Sequence, residues 1–65
     1  MDLNLNEERE RMGISIEVMA DYLGMSYIFL ANIFQGKVKC SKEKRKAIEF
    51  FLIKTYTERI ENAVL

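Results

Sequence analysis

Residues 16–35, IEVMADYLGMSYIFLANIFQ, form the stretch around which we expect the rest of the chain to pack. The pattern is typical of two short helices joined by a tight turn at Gly24, where glycine adopts a positive φ without steric cost. Ala20 is small enough to let the two helices approach closely. The positions expected to face inward are apolar: Met19, Leu23, Met25, Leu30 and Ile33.

Helical segments are predicted on both sides of this motif. Residues 1–12 are predicted to form a first helix that is capped by Asn4 or Asn6 and ended by Gly13. The N-caps predicted for the following helices are all serines, Ser15, Ser26 and Ser41. The chain has no glycine or proline after Lys42, which predicts one long helix over about 42–62. We therefore predict a single all-α domain over residues 1–65, with four helices and the motif at 16–35.

Apolar periodicity predicts which side of each helix is buried. We expect the second helix to bury Val18, Met19, Tyr22 and Leu23, and the third to bury Leu30, Ile33 and Phe34. The last helix carries two apolar stripes, whereas a helix buried on one side usually shows one. The first stripe contains Ile48, Phe51, Leu52, Thr55 and Tyr56, and the second contains Phe50, Ile53, Thr57, Ile60 and Val64.

The second stripe is the basis for predicting a homodimer. One stripe would cover the core, and the other would meet a second copy through Phe50, Ile53, Ile60 and Val64. The alternative is that the small domain buries the whole helix by itself. A chain of 65 residues buries only about 60% of its unfolded surface, so a partner would add useful stability.

Charge is distributed unevenly although the net charge is zero. Residues 1–31 have a balance of −4, whereas residues 37–46 hold six basic residues against one acid, a balance of +5. Four of these basic residues lie at the start of the last helix, where positive charge opposes the helix dipole. This placement favours an anionic partner at that end of the helix.

The composition gives no support to catalysis. The chain has no histidine, its single cysteine is Cys40, and it has no glycine-rich phosphate loop. We therefore expect no enzyme, no cofactor and no metal. A single cysteine fits a reducing cytoplasm, and no apolar run approaches the roughly 20 residues that span a membrane. The expectation is a cytoplasmic protein.

Residues 14–37, ISIEVMADYLGMSYIFLANIFQGK, resemble the helix-turn-helix of lambda-repressor-like (Cro/cI-type) regulators. They are also similar to the DNA-binding helices of arabinose-regulator-type activators. The resemblance covers roughly residues 3–55. The matching positions are Met19, Ala20, Leu23, Gly24, Met25, Ser26, Leu30, Ile33 and Gly36.

The resemblance implies a sequence-specific transcriptional regulator of phage or mobile-element type, expected to be a repressor that binds double-stranded DNA as a homodimer. In that family the second helix of the motif enters the major groove. The base contacts carried over to this chain are Ser26, Tyr27, Ile28, Asn32 and Gln35, with Ala31 close by. The phosphate contacts carried over are Lys37, Lys39, Lys42 and Lys44.

A protein-interaction module on the same scaffold is the alternative hypothesis. It would be an antirepressor or an inhibitor of a host protein, with Tyr27, Ile28 and Phe29 as anchors. Three features favour it: Glu17 lies where the family often has a phosphate-binding glutamine, residues 26–35 contain no arginine or lysine, and the net charge is zero. A third hypothesis is an oligomerisation unit built on the last helix.

Overall fold

The computed structural model describes residues 4–64, with the side chain of Val64 excepted, and contains four helices in this range. They are α1 (Leu5–Arg11), α2 (Ile16–Leu23), α3 (Tyr27–Phe34) and α4 (Lys42–Val64). No strand occurs among the described residues. The predicted small all-α domain with a long C-terminal helix is therefore confirmed.

Side-chain caps define where each helix begins. Asn4 Oδ1 accepts a hydrogen bond from the Glu7 N–H at 3.1 Å, so α1 starts at Leu5. Asn4, one of the two predicted caps, is therefore confirmed. The predicted range 1–12 included Asn4 in the helix, which is wrong because its backbone is extended, and residues 1–3 lie outside the described part of the chain. The three predicted serine caps are confirmed by hydrogen bonds of 3.1–3.2 Å from the backbone N–H groups of Val18, Phe29 and Lys44.

The turn between α2 and α3 depends on Gly24. Its φ of 69° lies in the left-handed region, which costs a residue with a Cβ about 1–2 kcal/mol. The Met25 N–H donates to the Ala20 carbonyl at 2.9 Å, and the Gly24 N–H donates to the Asp21 carbonyl at 3.4 Å. This is the Schellman arrangement, which satisfies the last carbonyls of α2 and turns the chain into α3.

All four helices contribute side chains to the core: α3 packs against α2, and α1 and α2 pack against α4. Met19 of α2, Leu30 of α3 and Ile48 of α4 have fully buried side chains. The other buried members are Leu5, Ile14, Ala20, Phe51 and Leu52. All five inward positions predicted for the motif belong to this core or pack against it, so that part of the prediction is confirmed.

Three residues predicted to face the core are exposed instead. On α2 the buried side follows Ile16, Met19, Ala20 and Leu23, and the 3.6-residue period turns Val18 and Tyr22 away from it. Tyr22 still touches α4, because its ring centroid lies 4.7 Å from that of Phe51 and its hydroxyl accepts from Lys54 Nζ at 3.0 Å. Tyr56 is also exposed, and its side chain lines an open groove between α1 and α4 instead of entering the core.

The length of α4 gives the molecule its long dimension. Its 23 residues correspond to about 35 Å at 1.5 Å per residue, and the longest extent of the molecule is 40 Å. Arg59 ties the distal part of α4 back to the domain, because its Nη1 donates to the Met12 carbonyl at 2.6 Å. Residues 56–63 otherwise have exposed side chains.

Candidate nucleic-acid interface

The outward side of α3 contains the predicted base contacts. Helical spacing places four residues on one face of the backbone, because they are separated by three, one and three positions. They are Ile28, Ala31, Asn32 and Gln35. Ile28 and Gln35 are exposed, whereas Ala31 and Asn32 are half-buried. Tyr27 borders this face and is also exposed. The structure therefore brings the predicted contacts to one side of the helix.

The polar members of this face differ in their hydrogen bonding. Ser26 Oγ accepts from the Phe29 N–H as the helix cap, and its own O–H is left to donate elsewhere. The side-chain amides of Asn32 and Gln35 form no hydrogen bond with other residues in the described range 4–64. Each amide can therefore present one donor group and one acceptor to an external ligand, which is the pairing that adenine takes in the major groove.

Two apolar side chains dominate the first turn of α3. Ile28 has 72% of its surface exposed and Tyr27 has 55%. Phe29, the third anchor of the alternative hypothesis, is half-buried and lies under the ammonium of Lys44. The first turn thus offers two free apolar side chains rather than three.

Residues 37–46 form a segment, called here the basic segment, that begins as soon as α3 ends. Gly36 has a φ of 75°, and the Lys37 N–H donates to the Asn32 carbonyl at 2.9 Å. Lys37 is therefore held at the end of the helix that carries the predicted base contacts. The segment then continues through Lys39 into the first turns of α4.

The lysines of the basic segment are not neutralised within the domain. None of its five lysines forms an ion pair with an acid among residues 4–64, and the four at 37, 39, 42 and 46 are exposed. Arg45 differs from them, because its Nε donates to Glu49 Oε1 at 3.1 Å. The segment therefore presents a cluster of positive charge to solvent beside α3.

A second surface lies on α4, away from the basic segment. Phe50, Ile53 and Ile60 of the predicted dimer stripe are exposed, the first two by 66% and 64%, and the side chain of Val64 lies outside the described residues. Tyr56 adjoins them on the helix. Next to this stripe, α1 and α4 enclose an open groove of about 760 Å³ whose lining includes Met12, Leu52, Ile53 and Tyr56 together with two acids and two arginines.

Comparison of the chain with known protein families, curated proteins and solved structures finds no match. In the described part of the chain, no helix combines the length and the apolar character needed to cross a membrane. The same residues contain no group of three or more cysteine, aspartate or glutamate side chains arranged to hold a metal ion.

Two contacts near these surfaces were not anticipated from the sequence. The ammonium of Lys44 lies over the ring of Phe29, and Arg59 reaches Met12 across 47 positions of the chain. The sequence indicates the charge of Lys44 as part of the basic segment, but nothing in the local pattern pairs it with Phe29. Both contacts depend on how α4 packs against the shorter helices, which periodicity along one helix does not determine.

Proposed function

We propose that this chain is a cytoplasmic, sequence-specific DNA-binding regulator of transcription whose α3 enters the major groove. The observation that carries the proposal is the juxtaposition of the outward face of α3 with the basic segment. That face carries two amides with no partner among the described residues, and the segment carries lysines that no described acid neutralises. Bases and phosphates on one duplex require these two kinds of group side by side.

The exposed face of α3 is compatible with this orientation. A helix with its side chains is about 10–12 Å across, and the major groove, about 12 Å wide, admits it. With the first turn of α3 directed at the bases, Ile28 or Ala31 can contact a thymine methyl group, and Asn32 can pair with an adenine. The lysines that follow α3 are then available for phosphates on either side of the contacted bases.

The charge of α4 is consistent with the same role. Lys42, Lys44, Arg45 and Lys46 crowd the positive end of the helix dipole, and each unfavourable placement costs up to about 0.3–1 kcal/mol at low salt. Folding alone does not favour this arrangement. A phosphate backbone that lies across the start of α4 would reverse the sign of the interaction.

We expect Asn32→Ala to relax sequence preference at a single base pair. Loss of a bidentate contact to adenine removes about 1–3 kcal/mol of discrimination at that position, while the lysine contacts with phosphates are kept. The measurement is a comparison of DNA pools selected by the wild type and by the variant. Asn62→Ala, an exposed asparagine on the distal part of α4, is the matched control and should leave the selected sequence unchanged. An unchanged pool with Asn32→Ala would remove Asn32 from the interface.

The regulator is proposed to act as a homodimer through the exposed stripe of α4. Two antiparallel copies of α4 that cross between Ile53 and Tyr56 would bring Glu49 of one copy close to Arg59 of the other. Opposite charges would then flank an apolar centre, which suits the self-complementary interface that two-fold symmetry requires.

We expect Ile53→Glu to weaken self-association by at least about 100-fold. Burying one isoleucine contributes about 1.5–3 kcal/mol to the free energy of association. Both copies in the dimer carry the substitution, so its effect on the dissociation constant is doubled in free energy. Sedimentation at several concentrations measures the effect. Val18→Glu changes a similarly exposed apolar residue on α2 (58% against 64%) and should not alter association. A wild-type chain that stays monomeric, or equal effects of both variants, would contradict this interface. A chain truncated after Tyr56 tests whether the distal part of α4 contributes.

A second candidate function is a protein-interaction module, which the exposed pair Tyr27 and Ile28 favours. Incubating the immobilised chain with host lysate, and separately with DNA, distinguishes this candidate from DNA binding. One stoichiometric protein that is lost with Tyr27→Ala, together with no retention of DNA, would support this second candidate. Salt-sensitive retention of DNA by the same immobilised chain would support the first.

A further inference from the structure

Phe29 and Lys44 connect the first turns of α3 and α4. Lys44 Nζ lies 5.5 Å from the centroid of the Phe29 ring, within the distance of about 6 Å at which the face of an aromatic ring attracts an ammonium group. The two residues are fifteen positions apart, so the contact depends on tertiary packing. No comparable contact with a ring is found in residues 4–64 for Lys37, Lys39 or Lys42.

The backbone holds both residues in equivalent positions. Each is the third residue after a serine cap, and each donates its N–H to that serine: Phe29 to Ser26 Oγ at 3.1 Å and Lys44 to Ser41 Oγ at 3.2 Å. Lys44 is also half-buried, whereas the lysines at 37, 39 and 42 are exposed. Among the four predicted phosphate contacts, Lys44 is therefore the one whose side chain is held by a neighbour.

We propose that Phe29 is a positioning residue that holds the Lys44 ammonium beside the first turn of α3, ready to contact a DNA phosphate. This inference rests on the proposed function. An ammonium group over a ring keeps its charge and its N–H donors, since the ring uses neither. A lysine that is already held loses less conformational freedom when it binds, which strengthens binding without a new contact.

This role differs from simple packing in a way that can be measured. If Phe29 only fills space between α3 and α4, its replacement affects the domain equally whether or not residue 44 is a lysine. If Phe29 acts through Lys44, its effect on DNA binding requires Lys44 to be present. A double-mutant cycle between the two positions measures this dependence.

The experiment uses the full chain and a nonspecific DNA duplex, because phosphate contacts do not depend on sequence. Binding is titrated at several salt concentrations for the wild type, Phe29→Leu, Lys44→Met and the double variant. We expect Phe29→Leu to weaken binding about 2–5-fold, because the freed Lys44 side chain must then be ordered when it binds. We expect Lys44→Met to reduce the slope of log K against log salt by about 0.9. With methionine at 44, Phe29→Leu should have no further effect. Phe29→Tyr keeps the ring and should retain wild-type binding.

A measurement on the free protein tests the contact itself. The ε-methylene protons of Lys44 should show an upfield ring-current shift in NMR spectra that disappears in Phe29→Leu and persists in Phe29→Tyr. If the wild type binds DNA but the effects of the two substitutions on the binding free energy are additive, the role of Phe29 is overturned. The proposed function is then unaffected. No salt-sensitive binding of the wild type to any duplex would overturn the proposed function, and this role of Phe29 with it.

Discussion

Replacement of Lys37, Lys39, Lys42 and Lys44 together by glutamine is expected to remove most of the affinity of this chain for duplexes of any sequence. Four phosphate contacts give a slope of about −3.6 in log K against log salt. The wild-type affinity should therefore fall about 100-fold when the salt concentration rises fourfold. In the variant the slope should approach zero, because no contact is left to displace counterions.

The same variant should fold about as well as the wild type, because the relief of helix-dipole repulsion and the loss of the contact between Lys44 and Phe29 are of similar size. Lys42 and Lys44 lie in the first turn of α4, where their removal relieves repulsion with the helix dipole by up to about 0.3–1 kcal/mol each. Thermal unfolding monitored by circular dichroism measures this. Lys54→Gln removes a lysine of α4 outside the basic segment and serves as the binding control. A four-lysine variant that keeps the wild-type salt slope would show that the basic segment does not contact phosphates.

Leu30→Ala is expected to destabilise the domain by about 2–5 kcal/mol. Leu30 is fully buried in the same core cluster as Met19 and Ile48, and removing a buried leucine side chain costs both transfer energy and a cavity. A domain of 65 residues has a total stability of about 3–10 kcal/mol. Urea unfolding should therefore show either a large drop in midpoint or a chain unfolded in water.

Ile28→Ala provides a matched comparison two residues away on the same helix. Ile28 is 72% exposed, so its truncation should change stability by no more than about 0.5 kcal/mol. The pair thus tests which face of α3 is buried. Equal effects of Leu30→Ala and Ile28→Ala would contradict the orientation of α3 on which the candidate interface depends.

The local features of the fold were predictable because short-range chemistry determines them. A serine before a helix accepts the first free N–H groups, and Gly24 supplies the positive φ that ends α2. The inward positions of α2 and α3 follow from the period of the helix, so Met19 and Leu30 were assigned correctly to the core. These features require only residues within a few positions of one another.

The remaining features depend on how the helices pack. Val18 and Tyr22 are apolar, yet the direction from which α3 and α4 approach α2 leaves both outside the core. Tyr56 fits the buried stripe of α4 by spacing, but α1 leaves an open groove beside it, so its side chain stays exposed. The helical period determines the direction in which a side chain leaves the helix axis. It does not determine whether another helix packs on that side.

The candidate interface was predictable only to the level of a shared face. The helical period places Ile28, Asn32 and Gln35 on one side of α3, and the structure agrees. That Lys44 lies over Phe29 could not be derived, because it requires the relative position of two helices separated by the loop 35–41. Whether the face contacts bases or a protein depends on the chemistry of a second molecule, which the periodicity of this chain does not encode.

Selection of bound DNA from a random pool by the wild-type chain, at low and at moderate salt, tests the central claim most directly. At low salt we expect retention of many sequences, because the lysine contacts with phosphates dominate. At moderate salt we expect a smaller set that shares one motif, since base contacts then decide which duplexes remain bound. Retention of no duplex at either salt concentration would contradict the account.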